Sequence, residues 1–129
     1  MKYFAFLLAI CVVTFFSFVE KKCCSVKAYH ILLSAPNKTE TEFEEADKLA
    51  QEIITKINAG ESFAVLAKKY GCDGTAKTGG ELDWFERGVM VKPFEDACFA
   101  AELNTPFAVR TQWGVHVVKV TDKKIVPCK

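Results

Sequence analysis

Between Gly79 and Phe99 the backbone has very few options. A Gly-Gly pair is followed by the short run Glu81–Phe85, the turn residues Arg87-Gly88, and Pro93 with Glu95 and Asp96 behind it. The glycine pair supplies a hinge at little steric cost. Pro93 with acidic residues just after it marks the first turn of a helix, where the missing N–H is no loss and negative charge meets the helix dipole. The segment therefore reads as hinge, strand, turn and helix. Its large apolar groups Leu82, Met90 and Phe94 can all face one pocket.

The flanking sequence supplies partners for that unit. Val26-Lys27-Ala28-Tyr29-His30-Ile31-Leu32-Leu33 is rich enough in β-branched and aromatic residues for a strand, and the run Ile31-Leu32-Leu33 predicts burial on both faces, hence a central position. Ser34-Ala35-Pro36-Asn37-Lys38 reads as a loop. Thr41 with Glu44 reads as a capping box that opens a helix to about Asn58, with the stripe Ala46, Leu49, Ala50, Ile53, Ile54 and Ile57 and a stop at Gly60. Ser62 caps a shorter helix that ends at Gly71. Residues 72–80 form a polar, Gly-rich loop, and the helix begun by Pro93 runs to about Ala101. Phe107–Arg110 and Val115–Val120 read as two last strands joined by Thr111-Gln112-Trp113-Gly114. The order β-α-α-β-α-β-β predicts a small α+β domain with a four-stranded, mostly antiparallel sheet flanked by helices. There is no internal repeat and no low-complexity tract.

Residues 1–25 stand apart. Tyr3 to Val19 carries no charge and includes five Phe, between Lys2 and the polar Glu20-Lys21-Lys22. This is the layout of a secretory signal, and its length also suits a retained signal-anchor. Either predicts a domain outside the cytosol, in the secretory pathway, periplasmic, extracellular or membrane-anchored, with membrane contact only through this segment if it is uncleaved. The organisation expected is 1–25 signal or anchor, 26–122 folded domain and 123–129 tail. A net charge of +1 gives no reason to expect a nucleic-acid partner. Half the residues are apolar, which excludes a disordered chain. Of six cysteines, Cys23 or Cys24 could pair with Cys128 if the chain ends are adjacent, or all could remain thiols. Cys98 reads as a packing residue, and no Cys or His spacing suits a metal.

Three anchors in order resemble the parvulin family of peptidyl-prolyl isomerases over about residues 26–122. They are His30 within Tyr-His-Ile-Leu-Leu; Lys77-Thr78-Gly79-Gly80-Glu81-Leu82 with Arg87-Gly88-Val89-Met90 and Pro93-Phe94; and Thr111-Gln112-Trp113-Gly114-Val115-His116-Val117-Val118-Lys119-Val120. The resemblance implies a parvulin-like fold of the FKBP-like superfold. It also implies isomerisation of X–Pro bonds in proline-containing polypeptides, in support of folding. It assigns Leu82, Met90 and Phe94 to the proline pocket and places His30 and His116 side by side at its floor with Thr111 nearby. The position where the family carries Cys or Asp, nine before Leu82, is here Asp73 rather than Cys72. Trp113 stands where the family usually has Phe, Tyr or Ser, and is expected at the pocket rim. The His pair is open to a catalytic or a structural reading.

The chemistry itself asks for little. Rotation about the amide faces a barrier of about 20 kcal/mol because resonance is lost, and needs neither nucleophile, metal nor cofactor. It needs an apolar grip and polar groups matched to the twisted state. The expected catalytic set is His30, Asp73, Thr111 and His116; the expected substrate-binding set is Leu82, Met90, Phe94 and Trp113. The alternative is a non-catalytic peptide-binding chaperone module with the same cleft. Phosphate-directed parvulins place a basic cluster after the first strand. The loop Ser34–Glu40 here has one Lys and no Arg, so no phosphoserine or phosphothreonine preference is expected, and a monomer is expected.

Overall fold

A computed structural model describes residues 21–127. Four strands, β1 (Lys21–Ser34), β2 (Glu81–Glu86), β3 (Phe107–Thr111) and β4 (Gly114–Pro127), form one sheet in the order β2-β1-β4-β3, every neighbouring pair antiparallel. Helices α1 (Glu40–Asn58) and α2 (Phe63–Tyr70) cover one face, and α3 (Lys92–Ala100) covers the other. The α+β parvulin-like order read from the sequence is the order found.

Central placement of β1 and β4 follows from their side chains. Ile31 and Leu33 of β1, with Val115 and Val117 of β4, pack beneath α1 and α2 against Ala46, Ala50, Ile53, Phe63 and Leu66. The alternate residues Val26, Ala28, Val118 and Val120 pack with Phe85, Phe94, Cys98 and Phe99 on the α3 side. Period-two alternation on strands that are apolar at both phases leaves no face to give to solvent. The expected central position of the first strand is thus met. Cys98 is fully buried, and loss of solvation pushes its thiol up to about 12.

The expected loop 72–80 contains a 3-10 helix, Gly74–Thr78, and local boundaries differ from expectation in two further places. The helix cap is Thr39, not Thr41: its hydroxyl accepts from the Glu42 N–H while the Glu42 carboxylate accepts from the Thr39 N–H. The two boxes overlap by two residues, and the earlier one also gains the Asn37 side chain, which donates to Glu42 at 2.7 Å. Strands β1 and β4 extend further than their apolar runs, pairing from Ser34↔Gly114 out to Lys21↔Pro127. Directly beyond Val120 the run Thr121–Lys124 is polar, so period-two hydrophobicity is interrupted although the ladder continues. The two ends of the described chain therefore lie side by side. Cys23, Cys24, Cys72 and Cys98 are thiols here, while Cys11, Cys128 and residues 1–20 of the signal-like segment lie outside the described residues; its residues 21–25 belong to β1.

Candidate active site

The site grows on the α3 side of the sheet, where the alternation that buries Val26 and Ala28 carries on to His30 and Leu32. His116 stands on neighbouring β4 in the same phase as Val118. The two imidazoles stack with centroids 5.2 Å apart, and their Nδ1 atoms lie 3.0 Å apart. Phe94 from α3 presents its ring edge-on to both, at 5.8 and 5.1 Å. Gly80 permits this approach. Its carbonyl accepts from the His30 N–H at 2.8 Å, its φ is +82°, and a Cβ there would fall 2.2 Å from the His30 carbonyl oxygen. The Gly-Gly pair is a contact requirement as well as a hinge.

A chain of hydrogen bonds runs through the pair, and its carboxylate end orders the protons. At one end Thr111 Oγ1 accepts the Trp113 N–H at 3.3 Å and lies 2.7 Å from His116 Nε2. With both rings neutral, the Asp73 carboxylate at the other end keeps the His30 proton on Nε2, so the Thr111 hydroxyl donates to His116 Nε2. His116 then carries its proton on Nδ1 and donates to His30 Nδ1. His30 in turn carries its proton on Nε2, which faces Asp73 Oδ2 at 2.9 Å and Thr75 Oγ1 at 3.0 Å. The Thr75 hydroxyl donates to Asp73 Oδ1 at 2.7 Å. Every donor meets an acceptor with both imidazoles neutral. Two imidazoliums would set N–H against N–H at 3.0 Å. Burial opposes charge as well: it lowers the His30 pKa against the raising effect of Asp73, and burial followed by the neighbouring His30 lowers His116 to about 4.

Around this polar floor lies a cavity of about 440 Å³. Seven of the eight expected residues line it: His30, Asp73, Leu82, Met90, Phe94, Trp113 and His116. Thr111 is buried behind His116 and touches the cavity only through that ring. The strand β2 turns Leu82 inward through an irregularity opposite Ala28 and Tyr29, with Asp83 at φ +59°. Trp113 occupies the two-residue β3–β4 hairpin turn and is half exposed at the rim. Cys72 is exposed and not among the lining residues; partial desolvation, then the charge of Asp73, raise its thiol pKa.

Sequence reasoning missed four contributors. Leu32 lines the cavity and follows from strand alternation two residues after His30. Val89 and Val91 flank Met90 on the same wall. Thr75 bonds both His30 and Asp73, and the Asp-x-Thr spacing beside Gly74 was its only signal. Among the described residues no cluster of side chains could hold a metal ion.

Residues 15–124 match the family model of the PPIC-type PPIase domain. The chain belongs to the PpiC-type, or parvulin, family of peptidyl-prolyl isomerases. It is 49% identical over 82 residues to the foldase protein PrsA of Geobacillus sp. (strain WCH70), an alignment covering 60% of this chain and 29% of that protein. The crystal structure of the peptidylprolyl isomerase PrsA from Bacillus cereus superposes with a TM-score of 0.65 at 39% identity, over 79% of this chain and 36% of that one. NmPin, the parvulin of Nitrosopumilus maritimus, superposes with a TM-score of 0.61 at 35% identity, over 77% of this chain and 97% of that one. This parvulin-type chain thus spans under a third of the curated foldase it matches, yet nearly the whole of a free-standing parvulin.

Proposed function

We propose that this chain catalyses cis–trans rotation about X–Pro bonds in polypeptides, without a covalent intermediate, and so assists their folding. The observation that carries the reading is the cavity of about 440 Å³ walled by Leu82, Met90 and Phe94, with the Asp73 carboxylate at its polar side. The apolar walls suit a proline ring. Planar amide resonance places negative charge on the carbonyl oxygen, and that charge falls as the bond twists. A carboxylate near that oxygen raises the planar state relative to the twisted one, and each 1.36 kcal/mol of such difference is tenfold in rate.

Within this reading His30 and His116 are positioning residues. The Nε2–H of His30 and the Thr75 hydroxyl orient Asp73, and because both rings stay neutral no imidazolium offsets the carboxylate's charge. Trp113 narrows the rim. An anionic residue before proline would meet Asp73 with no basic cluster to compensate, which supports indifference to phosphate. Exchange measured by NMR in Ala–Pro and phosphoserine–Pro peptides tests both parts. Acceleration of Ala–Pro exchange above buffer is expected, with the phosphopeptide no faster. No acceleration of either, or a hundredfold advantage for the phosphopeptide, would overturn the corresponding part.

A further inference from the structure

The proposed proline pocket has one wall that belongs to no regular element. Arg87–Val91 links β2 to α3, and Val89, Met90 and Val91 line the cavity from it. Val89 is largely exposed, so packing alone does not hold this wall in place. What does hold it is Glu95, a carboxylate only 4% exposed on the first turns of α3. Its Oε2 accepts from the Gly88 backbone N–H at 2.5 Å, and its Oε1 faces Arg87 Nη1 at 3.3 Å. Gly88 has φ +87°, a conformation that glycine adopts without strain. The Arg87 guanidinium lies 4.3 Å from the centre of the Phe99 ring and also reaches Asp96, so the loop is clasped to the helix at two successive residues. Burying a carboxylate is costly without charge-assisted hydrogen bonds, and here both oxygens are used to tie down loop atoms.

We propose that Glu95 is a positioning residue for substrate binding, which sets the Arg87–Val91 wall against Phe94 so that Met90 and Val89 close on the proline ring. Glu95 itself does not line the cavity. It adjoins Phe94, a facing wall of the same pocket, so clasp and wall share one turn of helix. The idea rests on the reading of the cavity as a proline site.

The test compares binding of a fixed Ala–Pro peptide, by NMR titration, to the intact chain and to three variants. Glu95→Ala removes both contacts. Glu95→Gln keeps an oxygen for the Gly88 N–H and loses the charge facing Arg87. Gly88→Ala leaves Glu95 intact and strains the loop at a position with open space around it. Glu95→Ala and Gly88→Ala are each expected to weaken binding about tenfold, while the His30 and His116 ring signals stay at their wild-type positions. Glu95→Gln is expected to stay within about threefold of wild type, and the Gly88 amide to exchange with solvent faster in Glu95→Ala only. If Glu95→Ala does not fold, Gly88→Ala against Glu95→Gln decides on the same thresholds. Wild-type affinity in Gly88→Ala, or in a folded Glu95→Ala, would overturn the role of the clasp. Failure of the wild-type chain to bind the peptide would instead overturn the proline-site reading, leaving the Gly88 exchange rate as the test of whether Glu95 holds the loop.

Discussion

At the scale of single residues the site is a row of groups whose protons are ordered from its carboxylate end. With both imidazoles neutral, the Asp73 carboxylate facing His30 Nε2 leaves one arrangement with every bond made, in which the Thr111 hydroxyl donates to His116. The pH dependence follows with a definite sign. Folded-state values below 6.5 mean that the unfolded chain binds more protons as pH falls, so stability is full above about 6.5 and declines from there toward the folded values. His116, lowered to about 4, accounts for about 2 kcal/mol of loss between pH 6.5 and pH 5. Urea unfolding at pH 7 and pH 5 should show at least this difference, and the His116 ring protons should not titrate above pH 5. Much of this row was legible beforehand: His30, Asp73, Thr111 and His116 were all named from the sequence. Thr75 was not, because its role depends on a turn that folds Asp73 and Thr75 back onto a strand 45 positions away from Thr75.

Elements obey the same local chemistry, with ambiguity wherever two signals overlap. Thr39-x-x-Glu42 and Thr41-x-x-Glu44 are equally good capping boxes on paper. Asn37, held to Glu42 through both its backbone N–H and its side chain, selects the first. Thr39→Ala should therefore cost about 1 kcal/mol of stability in thermal unfolding and Thr41→Ala close to nothing. The strands show the converse limit. Apolar alternation located β1 and β4 but understated their length, because the polar run Thr121–Lys124 interrupts it while the ladder, held by main-chain bonds that leave no mark in the side-chain pattern, continues. The second helix, with its Ser62 cap, and the helix begun around Pro93 were legible because cap, period and stop agreed.

For the molecule as a whole, two antiparallel strands buried on both faces divide the core, with α1 and α2 on one side and α3 with the site on the other. The outer ends of those strands contribute to the site's side of the core. Lys123 donates to the carbonyls of Phe99 and Ala101 at the C-terminal end of α3, and Cys23 packs against the core beneath that helix. A chain cut to residues 26–122 should thus be less stable than one spanning 21–127, by about 2 kcal/mol in urea unfolding, since it loses the pairing of both ends and those caps. The cavity survives such a change only if α3 stays docked, because Phe94 on that helix is one of its walls. Function depends on those apolar walls and on one oriented carboxylate. The most direct test is the exchange rate of a saturating Ala–Pro peptide, followed by NMR for the wild type, Asp73→Ala and Cys72→Ala. A wild-type rate well above buffer is predicted, falling at least about tenfold in Asp73→Ala while the planar peptide binds more tightly, and unaltered in Cys72→Ala. Wild-type exchange no faster than buffer, or an Asp73→Ala rate equal to wild type, would contradict it.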